Sequence, residues 1–150
     1  MSLHADKNVG TYLDRTLKVV KQHYLRAFRA AGADISTEQW VLIDQLYNEN
    51  GLSQTDLANG SYKNAPTVSR IIDLLCDKGF VERQRFEGDR RRYKIYLTKS
   101  GRQLHQKLMP RVLELRQQTW QGLSDEDWEK LKIILGKVLE NFTPEPEEAN

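Results

Sequence analysis

Residues 52–98 read LSQTDLANGSYKNAPTVSRIIDLLCDKGFVERQRFEGDRRRYKIYLT, and this order of helix, stop, helix and hairpin decides the fold. Ser53 with Asp56 three residues later is a capping box, opening a short helix over Gln54–Asn59 that Gly60 breaks. Asn64 can cap the next helix, which runs to Lys78 with Pro66 in its first turn. There Val68, Ile71, Ile72 and Leu75 fall at i, i+3, i+4 and i+7, a buried stripe. Thr67, Ser69, Arg70 and Asp73 take the opposite face, and Gly79 supplies a left-handed stop. The pattern then switches to alternation. Val81–Phe86 and Arg92–Thr98 are predicted strands joined by Glu87–Arg90 as the turn, with Tyr93, Ile95 and Leu97 on one side. The shape implied is a helix suited to a DNA major groove, beside a hairpin whose tip carries Arg90, Arg91 and Arg92 for phosphate contact.

The flanks are helical. Leu13, Leu17, Val20 and Tyr24 predict a helix over 10–31, ended by Gly32. Ser36 to Gln39 open another, with the face Trp40, Leu42, Ile43, Leu46 and Tyr47, stopped at Asn50-Gly51. Downstream, Thr98 caps a helix through Leu104, Leu108, Val112 and Leu115, with a kink expected at Pro110. Ser124 and Asp127 box the start of the last helix, which carries Trp128, Leu131, Leu135, Val138 and Leu139. Residues 143–150 are polar and proline-rich, and a disordered tail is expected there. The fold class is mainly α (α+β): a winged helix-turn-helix lobe over 36–98, flanked by dimerisation helices over 10–31 and 99–142. The flanking apolar faces exceed what one small lobe can cover, so they are expected to pack together and against a second copy.

Bulk properties agree. At 150 residues the chain suits one domain with a real core. No stretch approaches the roughly 18 apolar residues of a membrane span, and the start lacks the apolar run of a secretory signal. A cytoplasmic protein is expected. The single cysteine, Cys76, excludes an internal disulfide and a cysteine-based zinc cluster. The net charge of +2 hides an uneven distribution. Residues 60–94 hold nine basic against five acidic side chains, whereas 140–150 hold four acids and no base. A polyanion feels the local surplus, because screening acts over about 8 Å.

Ser53-Gln54-Thr55-Asp56-Leu57-Ala58, Pro66-Thr67-Val68-Ser69-Arg70, Lys78-Gly79-Phe80-Val81-Glu82-Arg83 and Asp89-Arg90-Arg91 followed by Leu97-Thr98 resemble the MarR family of transcription regulators. The match extends over nearly the whole chain. Each motif is weak alone, and the order makes them strong. The resemblance implies an obligate dimer that binds a near-palindromic operator in double-stranded DNA. It makes Asn64–Lys78 the recognition helix, with Asn64, Pro66, Thr67, Ser69 and Arg70 facing bases and nearby phosphates. Ser53, Gln54 and Thr55 would hold a phosphate at the start of the preceding helix. Asp89 and Arg91 match a wing pair in which the carboxylate orients the arginine, with Arg90 and Arg92 beside them at the minor groove. Arg92 departs from the family, which has a small or apolar residue there. Independently of the resemblance, Arg70 is the one long bidentate donor on its face and the best candidate for a guanine contact.

Regulators of this kind usually sense a ligand, so the resemblance implies a small aromatic or phenolic anion. Tyr12, Arg15, His23, Trp40 and Tyr47 could border its cleft, although Trp40 also fits a core position. The alternatives are a redox-responsive regulator and a winged-helix adaptor without specific DNA binding. The first helix has no cysteine, and Cys76 lies away from any helix N-terminus that would activate its thiol. No cofactor, metal motif or enzyme is expected: His4, His23 and His105 lack ligand spacing, and no nucleophile elbow or P-loop is present.

Overall fold

In the computed structural model, the described residues are 6–86 and 88–143, and the side chains of Phe86, Asp89, Arg90 and Arg91 fall outside the description. The elements run α1 (Val9–Ala30), α2 (Thr37–Asn48), β1 (Leu52–Ser53), α3 (Gln54–Ser61), α4 (Ala65–Asp77), β2 (Val81–Phe86), β3 (Asp89–Leu97), α5 (Lys99–Thr119) and α6 (Asp125–Phe142). The tail expected over 143–150 lies outside the described residues beyond Thr143.

Most boundaries sit on the caps that the sequence supplies. Ser36, Ser53 and Ser124 each accept a hydrogen bond from the backbone N–H three residues on, and a reciprocal side-chain bond closes each box. The Asn64 carboxamide accepts from the Thr67 N–H at 2.9 Å, and the Thr98 hydroxyl accepts from the Gly101 N–H at 3.1 Å. Asn8 caps α1, a signal the sequence reading passes over.

Three expectations change. The helix α3 runs through Gly60 to Ser61, and Tyr62 ends it in the left-handed conformation. Gly60 is helical at negative φ, and the end of the Gln45 side chain occupies the space beside it where a Cβ would stand. The second strand begins at Asp89, not Arg92, since Gly88 at φ +93° closes the hairpin early. A strand at Leu52–Ser53 was not expected. Its two residues pair with Ile95 and Lys94 of β3, giving an antiparallel sheet in the order β1-β3-β2. Pro110 lies inside α5, which continues as one helix to Thr119.

Residues up to 115 form one compact unit and residues from 116 another. The first unit has a single core. The stripe of α4 (Val68, Ile71, Ile72, Leu75) meets Leu42, Ile43 and Leu46 of α2, Leu57 of α3 and Ile95 and Leu97 of β3. Phe28 of α1 and Leu104, Leu108 and Val112 of α5 join it, so this core draws on residues beyond 36–98. Each fully buried aliphatic side chain contributes about 1.5–3 kcal/mol relative to exposure. In the second unit, Trp120 and Trp128 meet edge to face at 5.2 Å, and α6 buries none of its residues.

Candidate nucleic-acid interface

The core stripe of α4 turns the opposite face outward. Asn64, Pro66 and Arg70 are exposed, with Thr67 and Ser69 half-buried between them. Arg70 has no ion-pair partner among the described residues. Asp73, the acid on that face, is held by Arg83 of β2, so its charge is neutralised locally. Over 64–70 the exposed surface is polar with Arg70 as its cation, whereas Asp77 at the far end of the helix is exposed and acidic.

Both ends of α4 are fixed. At its start, the Gln54 carboxamide donates to the Ala65 carbonyl, tying α3 to α4. At its end, the Lys78 ammonium donates to the Asp34 carbonyl and to the Gln39 side chain at 3.2 Å. Gln39 is buried and accepts at the same oxygen from the Ser36 N–H. Lys21 of α1 pairs with Glu38 one residue away, and that contact holds the Glu38 carboxyl below its ordinary range. A helix anchored at both ends loses less freedom on binding a partner than a loose one.

Ser53, Gln54, Thr55, Asp56, Ala65, Arg92 and Tyr93 line one concave surface. The structure thus brings the expected phosphate-holding residues at the start of α3 next to Arg92 of the wing. This cradle has backbone N–H groups of a helix start on one side and a guanidinium on the other, the chemistry that takes an anionic oxygen.

The wing shows a feature of register. Down the β2–β3 ladder Arg83 faces Ile95, Gln84 faces Lys94 and Arg85 faces Tyr93, but Phe86 faces Asp89. The interval Arg90–Arg92 is skipped, so these residues bulge out of the pairing. The side chains expected to act at Asp89, Arg90 and Arg91 lie outside the described residues.

The candidate ligand residues separate into groups. Tyr12 and Arg15 line a shallow depression on α1 with Thr16, Val19 and Val20, and His23 is exposed elsewhere on that helix. Trp40 is buried in the core at 4% exposure and touches Phe28. Trp40 and Tyr47 stack on His105 of α5 with centroids at 4.9 and 3.8 Å and nearly parallel planes. The His105 Nε2 lies 2.8 Å from a carboxylate oxygen of Asp44, so that nitrogen carries the proton it donates. Its Nδ1 is buried without a partner among the described residues. Sequence reasoning missed this histidine. The available signal was Trp40, Asp44 and Tyr47 at i, i+4 and i+7, an aromatic stripe with a carboxylate in its middle that calls for a donor.

Cys76 is half-buried, and burial pushes its thiol up against the opposing effect of Arg83. A raised thiol is a poor nucleophile at neutral pH. Among the described residues no cluster of ligating side chains could hold a metal ion, and no helix is long and apolar enough to cross a membrane.

An antiparallel sheet closing a helix-turn-helix, with a polar cationic face and a basic hairpin, defines a winged-helix DNA-binding protein. The MarR family model matches residues 35–93. The chain is 25% identical over 133 residues to the HTH-type transcriptional repressor YetL of Bacillus subtilis (strain 168), covering 87% of this chain and 77% of that protein. The S. aureus MepR–DNA complex superposes with a TM-score of 0.76 at 31% identity, over 88% of this chain and 97% of that one. NadR, solved in complex with 4-hydroxyphenylacetate, gives a TM-score of 0.69 at 26% identity, over 92% and 95%. The chain belongs to the MarR family, whose members regulate transcription by binding DNA.

Proposed function

We propose that this protein is a cytoplasmic, homodimeric repressor that binds a palindromic operator and leaves it when a small aromatic or phenolic anion binds. The observation that carries DNA recognition is the exposed start of α4 beside the Ser53–Asp56 and Arg92 cradle. In this reading Asn64, Pro66, Thr67, Ser69 and Arg70 enter the major groove. Ser53, Gln54 and Thr55 hold the backbone, and Asp89, Arg90, Arg91 and Arg92 lie along the minor groove.

Pairing is supported by uncovered apolar surface. On α1, Val9, Leu13 and Leu17 are 44–53% exposed; on α6, Ile133, Ile134, Leu139 and Phe142 are 56–85% exposed. Patches of this kind mark association surfaces. Two paired recognition helices must meet successive major grooves about 34–36 Å apart. A ligand favouring a dimer with another spacing lowers operator affinity by linkage.

Repression is supported by the likeness to YetL, and an aromatic acid by the likeness to NadR with its 4-hydroxyphenylacetate. Arg15 beside Tyr12 offers a cation and a phenol for such a ligand, and His23 and Tyr47 offer further polar tips. Trp40 would form its apolar wall from within the core. The test is a gel shift on a palindromic duplex selected from a random pool, repeated over a salt series and with a panel of phenolic acids. Specific binding that falls steeply with salt and is relieved by one acid supports the reading. Equal, weak retardation of every duplex would leave an adaptor.

A further inference from the structure

We infer that Tyr62, in the turn joining α3 to α4, is a DNA-contacting residue whose phenol meets the duplex backbone beside the recognition helix. The inference rests on the DNA-binding reading above and adds a residue to it.

The turn needs a left-handed residue. Tyr62 sits at φ 57° and ψ 33°, which lets the Lys63 N–H reach the Ala58 carbonyl at 3.1 Å and ends α3. Glycine or asparagine takes this conformation with less strain than a residue bearing an aromatic side chain. Elsewhere the chain follows that rule: Gly32, Gly51, Gly79, Gly88 and Gly122 occupy the other positive-φ positions among the described residues. Tyr62 alone departs from it. Nor does the fold use the ring, which is 97% exposed. A strained backbone carrying an aromatic group that packs on nothing in its own subunit points to use by a partner.

The location indicates which partner. Tyr62 lies two residues before Asn64, the cap of the recognition helix, and Lys63 stands between them. The turn therefore leads directly into the exposed start of α4. A phenol O–H can donate to a phosphate oxygen while the ring covers deoxyribose, and both partners recur at every step of a duplex. Such a contact positions the protein without reading sequence.

The test compares Tyr62→Asn, Tyr62→Phe and, as a reference, Arg70→Ala in the full chain. The probe is a fluorescein-labelled duplex recovered from a random pool by the unaltered protein. Tyr62→Asn is expected to raise the unfolding midpoint by a few degrees while weakening binding about fivefold to tenfold. Tyr62→Phe should leave the midpoint unchanged and lose a smaller part of the affinity. Gain in stability with loss of binding is a signature that a folding residue cannot produce. Unaltered affinity in both Tyr62 variants, with Arg70→Ala weakened, overturns the inference and leaves the DNA-binding reading intact. A Tyr62→Asn protein that binds poorly because its midpoint has fallen overturns it too. Failure of the unaltered protein to enrich any duplex removes both.

Discussion

Helices α4 and α6 are both amphipathic, yet α4 buries Val68, Ile71, Ile72 and Leu75 while α6 buries nothing. The difference separates two uses of an apolar stripe. That of α4 is consumed by its own lobe and holds the opposite face, proposed to meet DNA, out toward solvent. In α6, Ile133, Ile134, Leu139 and Phe142 stay exposed, and in the proposed dimer they meet the second copy. One stripe builds a fold, and the other is the surface on which the proposed pairing rests.

The contrast gives a sharp expectation for cavity variants. Ile72→Ala should destabilise the lobe by about 2–5 kcal/mol, read from chemical denaturation, because the site is fully closed. Ile134→Asp in α6 should instead leave the helical circular-dichroism signal of the lobe in place and release monomers in sedimentation at micromolar concentration. Unfolding of the whole chain by Ile134→Asp would place α6 with the core and erase the distinction.

The exposed side of α4, proposed to face DNA, has the next largest expected effect. Arg70→Ala should weaken binding by about 1–3 kcal/mol at one base position, visible as relaxed preference in a competition series. Equal losses on all duplexes would mark Arg70 as a phosphate grip. Arg91→Ala should weaken binding broadly and make the salt dependence shallower by about one counterion. His105→Phe tests the lobe alone: it keeps the stack between Trp40 and Tyr47 but strands Asp44, and a loss of about 1–3 kcal/mol is expected.

The smallest effect concerns pH. Lys21 holds Glu38 below its ordinary 4.5, so this carboxylate stabilises the fold above that pH. Stability is lost as pH falls from about 4.5 through the depressed folded value. Lys21→Met should remove part of the acid sensitivity of the melting temperature, and an identical pH profile would show the pair to be inert.

The lobe was largely legible because its local signals agree. The Ser53 and Asn64 caps, the Val68–Leu75 stripe and Gly79 all point to the same two helices, and the structure keeps them. Gly60 misled because a glycine inside a helix looks the same in sequence as a helix breaker. The Leu52–Ser53 strand was invisible: two residues carry no period, and only pairing with Ile95 and Lys94 defines them. The wing strand began three residues early because the bulge at Arg90–Arg92 interrupts alternation. At the candidate site, the Ser53 cap was legible, but the approach of Arg92 to Ser53, Gln54 and Thr55 was not, because it follows the long-range pairing of β1 with β3. His105 was weighed only as a metal ligand, because the stripe Trp40, Asp44 and Tyr47 on α2 calls for a donor without saying which distant helix supplies it.

The most direct measurement is the sedimentation of the purified chain with a selected palindromic duplex at micromolar concentration. Two copies per duplex, dimeric before DNA is added and displaced by rising salt, is the expected result. A monomer that stays monomeric, or one copy bound without preference for the selected sequence, would contradict paired recognition.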